Sequence, residues 1–188
     1  METSADVQER ASYYVGQANV SRMAGDAVRA LAAAEIAFEA RETIGITHEA
    51  VKQSFVTAVE AALELEELDK AEELLALAES LPPGSSSQFL QAQSSRFRAQ
   101  LSGRRGDADE TERRFKRATG LFRELAMPFY MAVTLLEYSE WLRARGRADD
   151  AEPLLAEARE IFERLEATPW IERAARAAGL ERQTEVVS

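Results

Sequence analysis

Four alanines, Ala37, Ala78, Ala118 and Ala158, recur at intervals of 41, 40 and 40 residues, each inside the same amphipathic pattern. Self-similarity at a fixed period of this length marks stacked supersecondary units that share one core, because no single unit can bury its apolar face alone. The phase extends beyond alanine. Gly25, Glu66, Gly106 and Gly146 share one position, Ala30, Ala71, Thr111 and Ala151 follow five residues later, and Ala34, Leu75, Phe115 and Leu155 nine later. Offsets of three and four residues return to one side of a 3.6-residue turn, so these positions form a helix face. Phe122 and Phe162, then Leu125 and Leu165, continue that stripe in the last two copies. Seven residues before the glycine phase stand Ala18, Val59, Ala99 and Ser139, small residues on a preceding helix. Each copy therefore reads as helix A, a tight turn and helix B. The turn position suits glycine, which reaches positive φ at little cost. Glu66 breaks that rule, so either the turn of the second copy differs locally or glycine at this phase is an average from which the chain departs.

The predicted fold is all-α: an α-solenoid of about four helical hairpins plus a C-terminal closing helix, one domain over residues 1–181 followed by a flexible tail at 182–188. The hairpins cover about 4–45, 46–84, 86–127 and 128–167, and the closing helix about 169–179. Within them the A helices fall at about 4–23, 48–65, 87–103 and 128–145, and the B helices at about 26–44, 69–80, 107–126 and 149–166. Punctuation agrees. Thr47 can cap the second A helix, and Pro128 and Pro169 sit in first turns, where a missing N–H is harmless. Pro153 would clash with the turn before it in a helix interior, so the last B helix should begin near Asp149 or Asp150. The run Pro82-Pro83-Gly84-Ser85-Ser86-Ser87 ends the second B helix and is the candidate hinge of the array.

Charge and composition narrow the partners. With 23 Lys and Arg against 33 Asp and Glu the formal charge is −10, so the average field repels nucleic acid and anionic lipid, and neither is an expected partner. Aromatic residues make up only 7% while alanine is abundant, which suits close helix packing more than sheet cores. The chain has no cysteine, excluding disulfides, thiol catalysis and Cys-ligated zinc. Residues 1–10 are polar and charged, without an apolar signal region, and no uncharged run approaches membrane-spanning length. A cytoplasmic location is expected.

Glycine, alanine five residues on and alanine twelve on, in a two-helix unit, resemble the tetratricopeptide repeat, here longer than its usual 34 residues; HEAT-type repeats share the 40-residue length, but the glycine and alanine phases favour the tetratricopeptide resemblance. A narrower resemblance covers about Gly25 to Leu180. The run from Phe129-Tyr130-Met131-Ala132 to Trp141-Leu142, followed by Ala151-Glu152-Pro153-Leu154-Leu155 to Leu165, is similar to the C-terminal repeat region of large bacterial regulators. Those proteins carry a class III adenylate/guanylate cyclase domain and a P-loop ATPase domain ahead of the repeats. The resemblance implies a non-enzymatic, regulatory or scaffolding interaction module of a signalling protein, binding a protein or peptide segment or another domain of a larger regulator. The alternative is a ligand-sensing domain that holds a small molecule or short peptide in a groove.

The residues that carry chemistry are sparse. Neither phosphate-cradling glycine loop is present, so no nucleotide cofactor is expected. His48 is the sole histidine, which leaves no partner for a two-histidine metal site or a serine–histidine pair, and it reads as a solvated first-turn residue. Neither a metal site nor a catalytic residue is expected. Glu60 with Glu64 and Glu72 with Glu73 belong to an acidic stretch, residues 47–80, with nine acids and two lysines, read as a solvated helix face. Arg96 to Arg117 holds eight basic residues and four acids, which either meet phosphate or an acidic partner or pair with neighbouring acids. Phe129, Tyr130, Tyr138 and Trp141 have helical spacing and read as core or groove wall.

Tetratricopeptide arrays line their concave face mainly with A helices. Carried onto this chain, that geometry selects Asn19, Arg22, Gln53, Glu60, Gln93, Arg96, Gln100, Glu140 and Arg143 as the partner-binding groove. Chaperone-binding members grip a terminal carboxylate with Lys and Asn at two of these phases. The corresponding pairs here are Val15/Asn19, Val56/Glu60, Arg96/Gln100 and Leu136/Glu140, so the clamp is not reproduced. Arg96 with Gln100 is the best anion contact of the set. As exposed groove residues, Arg96 and Arg143 are expected to tolerate charge reversal without loss of folding.

Overall fold

A computed structural model of the chain describes residues 3–81, 84 and 86–179, and these form helices and turns with no strand among them. The predicted tail at 182–188, and Pro82, Pro83 and Ser85 of the predicted hinge, lie outside the described residues. The helices are α1 (Ser4–Met23), α2 (Ala27–Glu39), α3 (Arg41–Ile44), α4 (Glu49–Glu64), α5 (Leu68–Glu79), α6 (Gln88–Arg104), α7 (Ala108–Glu124), α8 (Pro128–Ala144), α9 (Ala148–Arg164) and α10 (Thr168–Ala178). The 3.6-residue periodicity thus placed every A and B helix to within two residues, except that the first B helix is interrupted at Ala40 and resumes as the single turn α3.

Consecutive helices pack on one another, α1 on α2, α2 on α4, α4 on α5, and so on to α9 on α10. The A helices also touch across hairpins, α1 on α4, α4 on α6 and α8 on α10. The repeat phases are what these contacts bury. Ala30, Ala71, Thr111 and Ala151 have no exposure at all, and Ala18, Val59, Ala99 and Ser139 at most 1%. Leu165 departs from the predicted stripe. It is 42% exposed, because α9 ends at Arg164 and the chain has already turned away from the core face.

The turn of the second copy corrects the expectation of a local difference. Glu66 has φ of 58°, the same left-handed region as Gly25, Gly106 and Gly146. Its N–H bonds to the Leu63 carbonyl and that of Glu67 to the Ala62 carbonyl, the pattern that Gly25 and Asp26, Gly106 and Asp107, and Gly146 and Arg147 repeat. Two capped carbonyls and the packing of α5 behind them outweigh a side-chain cost of about 1–2 kcal/mol for that backbone region. One further correction is local. His48, not Thr47, caps α4, its Nδ1 accepting the Ala50 N–H at 3.3 Å. Helix α9 begins at Ala148, one residue before the expected start, and carries Pro153 in its second turn at the loss of one ladder bond.

Ala118 has no exposed surface and lies where α7 meets its neighbours. Ala118→Leu forces a larger side chain into a filled seam and should cost about 1–3 kcal/mol in urea melts. Hydrogen exchange should speed up first in α6, α7 and α8, and unchanged protection in all three would show that the seam has room.

Candidate groove across the A helices

Three neighbouring cavities, of about 430, 290 and 280 Å³, run along the sides of α1, α4, α6, α8 and α10. The first and second share Arg22, Glu60 and Trp170, while the second and third share Gln100, Arg104, Glu137 and Arg173, so the three form one groove. Residues of the first and last helices, Arg22 and Trp170, face the same space.

At one end the wall is aromatic. Phe89, Phe129, Tyr130 and Trp170 line the largest of the three opposite Asn19, Gln53 and Thr57. The rings fix each other: Phe89 meets Tyr130 edge-on at 5.3 Å, Phe129 meets Tyr130 at 5.5 Å and Trp170 at 5.8 Å. Behind them Phe122 stacks on Tyr130 and Phe162 on Trp170, both fully buried. Edge-to-face and offset pairs of this kind hold rings in place beyond what area burial supplies. Burial, reinforced by Glu60, raises the Tyr130 phenol above its ordinary pKa, so its hydroxyl is a hydrogen-bond donor at neutral pH. Neither that hydroxyl nor the Asn19 side chain has a partner among the described residues, which leaves both open to a ligand.

The middle of the groove is floored by ion pairs, and they join one A helix to the next. Arg22 on α1 pairs with Glu60 on α4. Glu60 also accepts from Arg96 of α6 at 3.0 Å, and Arg96 grips Glu137 of α8 with two bonds of 2.8 and 2.5 Å. Gln100 donates to the same Glu137 at 3.1 Å, and Arg173 of α10 holds Glu140 of α8 with bonds of 3.0 and 2.6 Å. Burial works against the Arg96 charge, but the attraction of Glu137 and of Glu60 exceeds it and leaves the guanidinium pKa raised. Around the groove stand four arginines, Arg22, Arg96, Arg104 and Arg173, against five glutamates, Glu49, Glu60, Glu64, Glu137 and Glu140. All four arginines are already paired with carboxylates. An anionic ligand would find no unpaired cation in it.

Of the nine residues selected from the sequence, Asn19, Arg22, Gln53, Glu60, Gln100 and Glu140 line the groove as expected. Arg96 lines it too, but only 3% of it is exposed and its guanidinium is fully engaged, so the expected anion contact is overturned. Gln93 has no exposure; its Oε1 accepts from Arg96 and its Nε2 is buried without a partner. Arg143 turns away, toward Glu152 of α9 at 3.7 Å. Val15, Leu63, Val133 and Leu136, at the same phases, are all buried. At the third cavity Gly103 leaves space that Trp141 fills, since a Cβ on Gly103 would come within 3.0 Å of the indole nitrogen. Tyr138 is core, stacked on Phe115 at 5.1 Å.

Phe89, Arg104 and Glu137 were missed, and so were Trp170 and Arg173 on α10. Extending the repeat by one more period finds the α10 pair, since Trp170 stands 40 residues after Tyr130 and Arg173 stands 40 after Val133.

Among the described residues no group of three or more His, Cys, Asp or Glu is placed to hold a metal ion, and no helix is long and apolar enough to cross a membrane. No protein-family model matches the chain, and no curated protein matches it.

Proposed function

We propose that the chain is a non-enzymatic interaction module, a tetratricopeptide-like α-solenoid that holds a protein segment along the groove formed by α1, α4, α6, α8 and α10. The observation that carries this reading is the continuity of the groove across five helices, with a rigid aromatic end and a floor whose charges are already neutralised. Such a surface suits an extended chain with one apolar anchor, because an aromatic-lined hollow supplies affinity at a point while flanking polar groups supply register. The role of a regulatory scaffold in a bacterial, cytoplasmic signalling protein rests on the sequence resemblance. A second reading, a sensor for a small molecule, is favoured by the aromatic cavity itself, which at about 430 Å³ falls within the size range of small-molecule sites.

The paired change Asn19→Arg with Gln53→Arg tests the site, since both residues are exposed and line the aromatic cavity. Folding should change by less than about 0.5 kcal/mol. Capture from extract followed by mass spectrometry should recover a protein with the parent chain and with an Arg113→Glu control, but not with the paired variant. A retained small molecule in native mass spectra, absent from the paired variant, would favour the sensor. Equal capture by all three chains would remove the groove from the account.

A further inference from the structure

The basic stretch from Arg96 to Arg117 resolves into paired and unpaired charges. Arg98 is held by Glu72 and Glu79, Arg104 by Glu66, Arg105 by Glu72, Arg113 and Arg114 by Glu110, and Lys116 by Glu112. Arg96 belongs to the groove network. Arg117 is the basic residue of the stretch with no carboxylate partner among the described residues. It lines a separate cavity of about 430 Å³, together with Arg114, Ser94 and Ser95, between the end of α5, Leu81, Gly84 and Ser86 beyond it, and the sides of α6 and α7. None of its lining residues belongs to the groove.

Ser94 and Ser95 are only 6% and 3% exposed, yet neither hydroxyl has a hydrogen-bond partner among the described residues. The Ser54 and Ser139 hydroxyls bond a backbone carbonyl of the preceding turn, whereas those of Ser94 and Ser95 stay open to the cavity and to water. Glu79 also borders the cavity, but Arg98 holds it through bonds of 3.4 and 2.6 Å to its two oxygens, so it leaves the Arg117 charge uncompensated. The pocket therefore presents one free guanidinium and two free hydroxyls, with Arg114 beside them, in a chain whose net charge is −10.

We propose that this pocket binds a phosphate monoester, with the Arg117 guanidinium taking two phosphate oxygens and the Ser94 and Ser95 hydroxyls donating to the phosphate group. A guanidinium fork matches two phosphate oxygens, and the doubly charged group offers further acceptors for hydroxyl donors. A carboxylate has only two oxygens, both engaged by the guanidinium fork, so it offers the two hydroxyls poorer acceptors than the further oxygen and the second charge of a phosphate do. The cavity is larger than a bare oxyanion requires, which leaves room for the organic part of an ester.

Nuclear magnetic resonance titration of the full chain tests this with three probes: phenyl phosphate, inorganic phosphate and phenylacetate. Phenyl phosphate should shift the Ser94 and Ser95 amides and the Arg117 Nε–H saturably, while the Trp170 indole in the groove stays unmoved. Arg117→Gln should weaken it by about tenfold or more, as expected for losing a charged hydrogen bond. Arg113→Gln removes the same charge one turn earlier from an ion-paired side chain and should change affinity less than about twofold. Inorganic phosphate binding as tightly as the ester would support the site and assign recognition to the oxyanion, whereas tighter ester binding would support it and bring the rest of the cavity into play. Phenylacetate binding as tightly as phenyl phosphate, equal loss in the two arginine variants, or no saturable shift at all would overturn the proposal. These results leave the groove reading untouched, since that rests on a different face of α6.

Discussion

Arg96→Ala should cost about 3–5 kcal/mol in urea denaturation, far more than a groove residue at the surface would. The substitution leaves Glu60 and Glu137 facing one another with side-chain exposures of only 18% and 9%, and removes the cation that held α4, α6 and α8 together. Most of the loss is the penalty of leaving Glu137 buried without a cation, since Glu60 keeps Arg22, and a second variant separates that penalty from the attraction itself. Arg96→Met combined with Glu60→Gln and Glu137→Gln removes all three charges while keeping volume, and should recover most of the stability lost in the alanine variant. A cost below about 1 kcal/mol for Arg96→Ala would mean that water reaches the site and that the network holds nothing. The same geometry reverses the expectation that Arg96 tolerates charge reversal, since Arg96→Glu would place a third carboxylate between two others.

Residue phase along a repeat states which way a side chain leaves its helix, not what the next helix places in front of it. That is why Asn19, Gln53 and Gln100 were legible and Arg96 was misread: its direction was right, but Glu60 and Glu137 arrive from α4 and α8 and enclose it. Helix spans were legible because each stripe repeats three or four times within its helix, and the small-residue seams because every one of them is buried. Glu66 was undecided for a different reason. Glycine's preference for positive φ is statistical, while the bonds from Glu66 and Glu67 to the preceding carbonyls are specific to this turn. The basic stretch was ambiguous in the sequence because Arg98 and Arg105 are paired by Glu72 and Glu79 of α5, which only the fold brings to α6. Pairing within α7 follows from spacing alone, since Glu110 and Glu112 stand three or four residues from Arg113, Arg114 and Lys116, and no acid stands so from Arg117.

Phe162→Ala should cost about 3–5 kcal/mol and concentrate its damage at the C-terminal end. The ring is fully buried, stacks on Trp170 at 5.7 Å and meets Phe129 at 6.3 Å, so it joins α9 to both α8 and α10. Its removal leaves a void behind the indole that lines the groove. Nearest-neighbour packing predicts a graded response, because each hairpin leans on the next one and not on distant copies. Amide exchange should accelerate in α8, α9 and α10, and the fluorescence of Trp170, read in a Trp141→Phe background, should move to the red as the indole gains water. Protection of the cores of α1 and α2 should fall much less. Uniform loss from α1 to α10 would instead show a single all-or-none unit, and an unshifted Trp170 spectrum would mean that Phe129 and Arg173, whose guanidinium lies 5.3 Å from the indole centroid, hold the groove wall without Phe162.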